Sequence, residues 1–181
     1  AARSIAVLSE LTGGPPPFAW INDLRAPVRE DEAMVALPTG PVRVRRFIPE
    51  GVRDAPGIVL LHGVHPRGID EKRLRAFAHS VASAGVRVMT PELSELLAYR
   101  IDALTVQKIR LLAAAHARFV EQQSTGVIGI SFAGGLALMA AAEQNSEAPI
   151  GFVVSVGSHH DLARLCRYYA GESVVGPNGE R

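Results

Sequence analysis

The chain has little with which to build a disulfide, a nucleic-acid surface or a signal peptide. One cysteine, Cys166, stands among 181 residues, so no intrachain disulfide can form and the redox compartment stays undecided. Lys and Arg number 19 against 18 Asp and Glu. The resulting formal charge of +1 offers no bulk attraction to nucleic acid or to an anionic membrane. No basic stretch followed by a long apolar run opens the chain, so no signal peptide is visible. It begins with Ala1 rather than methionine, and residues ahead of it are expected. There is no internal repeat and no low-complexity tract. The composition suits a soluble protein, with a cytoplasmic location slightly favoured and the compartment otherwise open.

A different absence is misleading. No charged residue occurs from Gln122 to Ala142, a length that would span a bilayer. Gln122, Gln123, Ser124 and Thr125 are polar, however, and Gly126, Gly129, Gly134 and Gly135 would interrupt a helix. A buried strand, a tight turn and a buried helix explain the stretch better than a membrane span.

What is present is ordinary for a globular domain: 48% hydrophobic and 20% charged residues, in a chain long enough for one substantial core. Residues 1–29 read as a short helix around Ile5 to Leu11 and an irregular arm around Gly13-Gly14-Pro15-Pro16-Pro17. Glu32 to Leu37 and Val42 to Ile48 read as strands joined by the hairpin punctuation Pro38-Thr39-Gly40-Pro41. From Ile58 the texture changes. Ile58-Val59-Leu60-Leu61 is continuously apolar, as in a strand buried on both faces of a parallel sheet. A helix capped by Asp70 should run to about Ser83 and stop at Gly85, followed by a strand over Val86 to Met89. A helix over Leu104 to Gln122 carries Val106, Ile109, Ala113, His116 and Val120 on one stripe, which makes His116 a core histidine. Strands then recur at Val127-Ile128 and at Phe152 to Val156, with a helix between them and another over Asp161 to Tyr169. Strands alternating with helices after residue 57 predict an α/β protein with a mostly parallel sheet, flanking helices and an antiparallel N-terminal hairpin. Three parts are expected: the arm at 1–29, a core at 30–161, and the start of a cap or connecting segment at 162–181.

The chemistry concentrates at Gly129-Ile130-Ser131-Phe132-Ala133-Gly134. A serine on a sharp strand-to-helix turn, with small residues around it, has the pattern of a nucleophile elbow. The turn presents the hydroxyl where a base can take its proton. The strict spacing places glycine at position 133; alanine stands there and is still small. An acyl transfer also needs two N–H groups aimed at the developing oxyanion. The N–H of Phe132, directly after the serine, is one candidate. The N–H of Val64 in Leu61-His62-Gly63-Val64 is the other, with Gly63 letting the backbone approach.

These features, together with the Pro91-Glu92 turn, resemble the α/β-hydrolase family, and its esterase or dienelactone-hydrolase-like branch in particular, over roughly Glu32 to Asp161. The resemblance implies a serine hydrolase acting on a carboxylic ester or similar small acyl compound, with Ser131 as nucleophile and an acyl-enzyme intermediate. No metal or organic cofactor is implied. The family's acid and histidine follow later strands, so the resemblance places both beyond Arg181. Within the chain only His159 and His160 follow Ser131, with Asp161 adjacent. Sequence neighbours rarely set an acid behind an imidazole, so His159, His160 and His62 are read as possible pocket residues. The i, i+3 spacing of His62 and His65 hints at zinc, but no cysteine or carboxylate cluster accompanies it, and no metal is expected.

Phe152 to Val156 is apolar on both faces, and such a strand left at a sheet edge would invite aggregation. Further strands are therefore expected beside it, from a longer chain, a partner fragment or an oligomer. Arg43, Arg45 and Arg46 read as the solvated basic face of a strand. Two alternatives to a serine esterase stay open: a non-catalytic binding module on the same fold, and an acyltransferase or peptidase.

Overall fold

The structure, a computed structural model, describes residues 25–100, 102–143 and 150–158, with positions 164, 167, 168, 170, 171 and 179. Six strands form one sheet: β1 (Val28–Val35), β2 (Val42–Pro49), β3 (Gly57–Leu61), β4 (Arg87–Pro91), β5 (Thr125–Ile130) and β6 (Ile150–Val156). Their order is β1-β2-β4-β3-β5-β6. The hairpin β1–β2 is antiparallel and joins antiparallel to β4, whereas β4, β3, β5 and β6 run parallel. Among the described residues four helices lie between them: α1 (Lys72–Ser83), α2 (Ser94–Leu97), α3 (Ala103–Phe119) and α4 (Phe132–Ala142). The expected mixed sheet with its N-terminal hairpin is the observed architecture. The expected N-terminal helix and most of the 162–181 segment fall outside the described residues.

The two-sided burial of β3 organises the core. Leu60 packs with Phe47, Val88, Leu74, Ala78 and Ala82 beneath α1. Val59 and Leu61 face the other way, into a cluster with Ile109, Leu112, Leu136 and Ala137 of α3 and α4. A strand that feeds two cores must be apolar throughout, and this one is. The apolar stripe on α3, from Val106 to Val120, is buried along its length.

Two helix boundaries differ from expectation. Asp70 does not cap α1; it closes a 3-10 turn, Gly68–Asp70, and the Glu71 carboxylate accepts from Leu74 N–H at 2.8 Å instead. Asp70 is occupied by the arginines of β2. Helix α3 ends at Phe119 rather than near Gln122, because Glu121 turns the chain at φ 58°. The uncharged stretch from Gln122 resolves into β5, a turn at Ser131 and α4. Among the described residues no helix is long and apolar enough to cross a membrane.

The three arginines of β2 are not one solvated face. Strand alternation sends Arg46 to one side, where it pairs with Asp31 at 2.6 Å and lies 4.8 Å from the centre of the Phe119 ring. Arg43 and Arg45 point to the other side, into a cluster of carboxylates.

Helix α4 and β6 leave apolar surface uncovered. Val153 packs toward the α3–α4 side. On the α1 side Phe152, Val154 and Val156 are about half exposed, at 51%, 42% and 52%. Their β5 neighbours on that face include Ile128, which belongs to the α1 core. Helix α4 carries no charge and exposes Leu138 and Met139. An apolar-all-round helix belongs in an interior. Among the described residues β6 pairs on one side only.

His116 illustrates what the core does to a titratable group. It is buried, its Nε2–H donates to the Arg87 carbonyl at 3.1 Å, and Nδ1 has no hydrogen-bond partner among the described residues. Burial, reinforced by the cationic Arg87 and Arg46, depresses its pKa from 6.5 to about 4. The unfolded chain therefore takes up a proton before the folded one does. Stability should fall as pH drops from about 6.5 to about 4, by about 3 kcal/mol in all. Urea unfolding at a series of pH values would show this slope, and His116→Leu should flatten it between pH 6.5 and 5, above the carboxylate range.

Candidate active site

Strand β5 ends at Ile130 and helix α4 begins at Phe132, so a single residue makes the turn. That residue is Ser131, exposed, at φ 55° and ψ −129°. A side-chain-bearing residue rarely adopts this conformation, and where it persists the surroundings must hold it. Ser131 N–H donates to the Val156 carbonyl at 2.7 Å, and its own carbonyl accepts from Gly134 N–H at 3.0 Å. The end of β6 thus anchors the turn from one side and the first turn of α4 from the other.

Close packing accounts for the small residues. A Cβ on Gly129 would lie 2.5 Å from Gly134 Cα and 2.6 Å from the Ala133 carbonyl oxygen. A Cβ on Gly134 would meet Ser158 Cβ at 2.9 Å and strike the Ser155 hydroxyl, which is itself bonded to the Ser158 hydroxyl at 2.5 Å. Glycine is therefore required at 129 and 134, whereas Ala133 points into the α3–α4 core. The departure from the strict spacing at 133 does no damage here.

The loop after β3 is pressed against this turn. A Cβ on Gly63 would stand 3.2 Å from both the Ile130 carbonyl oxygen and Ser131 Cβ. Val64 follows directly and shares with Ser131 the lining of a cavity of about 440 Å³. Leu74, Phe77 and Ile130 supply its apolar wall, and Glu71 and Arg73 stand at the N-terminal turn of α1. The volume suits a small organic molecule. Phe132 is the first residue of α4, and an amide in that position has no intrahelical acceptor.

His62 lines the cavity but is only 2% exposed. Its Nε2 accepts from Leu93 N–H at 3.1 Å, which fixes the proton on Nδ1, the donor to the Gly63 carbonyl at 2.8 Å. Burial pushes its pKa below the ordinary value, against smaller opposing effects from the Gly63 bond and from Glu92. A neutral ring with both nitrogens engaged is a strut between two loops. This arrangement removes it from the zinc pairing with His65, whose Nδ1 accepts from Arg67 N–H at 3.2 Å. No group of three metal-ligating side chains occurs among the described residues. His159, His160 and Asp161 lie outside them.

Three features of the site were not evident in the sequence. The bracing role of His62 depends on Leu93, 31 residues away. Ser155 and Ser158 back the turn from β6. Arg43 and Arg45 grip the far end of the loop that carries Val64. Only the Arg-Val-Arg of β2, opposite the acids of β1, gave a hint of the last.

No protein-family model matches the sequence, and no curated protein does. Solved structures do resemble it. A dienelactone hydrolase from Anabaena variabilis superposes at a TM-score of 0.61 with 23% identity, over 76% of this chain and 67% of that one. Brefeldin A esterase, a bacterial homologue of human hormone-sensitive lipase, gives 0.60 with 18% identity, over 93% and 51%. A hyperthermophilic esterase from the archaeon Pyrobaculum calidifontis gives 0.57 with 16% identity, over 96% and 57%. At these identities the likeness shows the fold, which is that of the α/β-hydrolases. The matched part of this chain spans about half to two thirds of the length of those proteins.

Proposed function

We propose that this chain carries the nucleophile and oxyanion site of a serine hydrolase acting on carboxylic esters or similar small acyl compounds. The observation that carries the reading is Ser131 itself: exposed, in a strained conformation at a strand-to-helix turn, with Gly63 against its Cβ and a cavity in front of it. Strain is stored where the surroundings maintain it, and functional sites are where such residues concentrate. The esterases and dienelactone hydrolase of the same fold support the reaction class.

In this reaction Ser131 Oγ attacks the acyl carbonyl carbon while a base removes its proton. The carbonyl oxygen gains negative charge and accepts hydrogen bonds from Phe132 N–H and Val64 N–H. Collapse of the intermediate expels the alcohol, which takes a proton from the same base. Water then attacks the acyl-serine ester, returning the serine hydroxyl and releasing the acid. The cavity wall of Leu74, Phe77 and Ile130 would take the apolar part of the substrate.

The base and its orienting acid are assigned to polypeptide that pairs beyond β6. The exposed Phe152, Val154 and Val156 support this, as does the shorter span of this chain relative to the proteins it resembles. A fluorophosphonate probe applied to the complete protein tests the reading. It should leave a phosphonate on the peptide containing Ser131, identified by mass spectrometry. Absence of label from a folded, complete protein would instead favour a non-catalytic binding module on this fold.

A further inference from the structure

We infer that Arg43 and Arg45, on a strand that contributes no residue to the cavity, are positioning residues that hold the Val64-bearing loop in register with Ser131. This rests on the serine-hydrolase reading and extends it to a second layer of residues.

The loop from His62 to Glu71 leaves β3 beside the serine turn and must return to start α1. It contains no strand and only a three-residue 3-10 turn, so its own backbone bonds cannot hold it rigid. At its near end His62 ties it to Leu93. At its far end Arg45 does the equivalent work. The Arg45 side chain is only 8% exposed. Its Nη1 donates to the carbonyl of Ile69, a fully buried residue, at 2.9 Å, and its Nη2 reaches Asp70 at 2.7 Å and Glu32 at 2.5 Å. Its Nε lies 3.0 Å from Glu30. Without Arg45 the Ile69 carbonyl would be left buried and unsatisfied.

Arg43 joins the two loops. Its Nη1 lies 3.0 Å from Asp70, at the end of the Val64 loop, and 3.1 Å from Glu92, directly before Leu93. Its Nε and Nη2 each meet Glu32 at 3.0 Å. The two guanidinium groups therefore hold β1, the β3–α1 loop and the β4–α2 loop in one network. The bonds from Arg43 and Arg45 hold the Asp70 carboxyl below its ordinary range, and those from Arg45 and Arg43 do the same for Glu32. Both acids remain ionised partners at neutral pH.

Geometry makes arginine the required residue at 45. One planar fork serves a backbone carbonyl and three carboxylates in different directions, which an ammonium on a single stem cannot reproduce. A displacement of the loop by even about 1 Å moves Val64 N–H off the oxyanion position, and misplacements of that size reduce rates by up to about 10²-fold.

The test compares wild type, Arg45→Met, Arg45→Lys and Asp70→Asn in the complete protein. Fluorophosphonate labelling of Ser131 is timed per folded molecule, p-nitrophenyl acetate turnover is resolved into kcat and KM, and hydrogen exchange is followed in the 62–71 peptide. Labelling and kcat should fall about 10- to 100-fold in Arg45→Met and Asp70→Asn, with KM within about twofold. Arg45→Lys should recover only part of the rate. Exchange should quicken in 62–71 and stay slow in β5 and α4. If Arg45→Met does not fold, Asp70→Asn decides, since its side chain is nearly half exposed. Wild-type labelling per folded molecule in Asp70→Asn, or unchanged exchange in 62–71, overturns the inference. An unlabelled wild type would count against the hydrolase reading, and the exchange result would then judge the clamp separately.

Discussion

Replacing Ser131 by alanine is expected to abolish ester hydrolysis by the complete protein, a loss on the order of 10⁴-fold or more, while the fold survives. A second substitution at the same position sharpens the claim. Ser131 sits at φ 55° and ψ −129°, where a Cβ is strained by about 1–3 kcal/mol. Glycine feels no such strain, though it adds up to about 1 kcal/mol of disorder to the unfolded chain. The strain is the larger effect, so Ser131→Gly should be inactive yet more stable than wild type by about 1 kcal/mol. The serine hydroxyl makes no capping bond at the start of α4, so nothing on that side offsets the gain. Esterase turnover and the urea midpoint measure the two halves. An inactive but destabilised Ser131→Gly would mean that the turn was not strained, and an active Ser131→Ala would remove Ser131 from the chemistry.

The sequence revealed the elements whose signals are local. The run at 58–61, the hairpin punctuation at 38–41 and the stripe on α3 each record burial within a few residues, and each matched the structure within one to three residues. The serine turn was equally legible, because the tight contacts of Gly129 lie within Gly129 to Gly134, although those of Gly134 with Ser155 and Ser158 do not. What stayed hidden was long-range pairing. Arg43 and Arg45 looked like solvated charge because their acids come from residues 30, 32, 70 and 92. Asp70 looked like a helix cap for the same reason: nothing nearby shows that two arginines claim it. His62 was legible as a pocket residue and does line the cavity, but its bracing role was not, because its partner Leu93 lies across a helix and a strand.

The β6 edge joins the fold to the function. Its sequence signals burial on both faces, and its three exposed apolar side chains continue the α1-side core, where Ile128 is the neighbouring buried residue. The strand that anchors Ser131 through the Val156 carbonyl is therefore also the one that, among the described residues, pairs on one side only. On the proposed reading, pairing there would also bring the base to the serine, which is why assays of catalysis belong on the complete protein.

Gly129→Val is expected to be the most disruptive single change in the described core, and it should act on the turn rather than on the chemistry. The added Cβ would begin 2.5 Å from Gly134 Cα and 2.6 Å from both the Ala133 carbonyl oxygen and Gly134 N. All three are backbone atoms, so no side chain can rotate away. Helix α4 would have to move off β5, and Gly134 cannot retreat because Ser155 and Ser158 stand behind it. Overpacking against flexible neighbours costs about 1–3 kcal/mol; against the backbone of α4 the loss should reach at least about 4 kcal/mol, the range of exceptional core mutations. Gly134→Ala meets chiefly side-chain atoms of Ser155 and Ser158, with the Gly129 carbonyl oxygen the one close backbone atom at 3.1 Å, and should cost about half as much. Urea or thermal unfolding ranks the two, and labelling of Ser131 in the folded fraction of Gly134→Ala reports whether the turn itself has shifted. Equal tolerance of valine at 129 and alanine at 134 would show that α4 is free to slide, and the explanation of Ser131's strained backbone by close packing on both sides would fail with it.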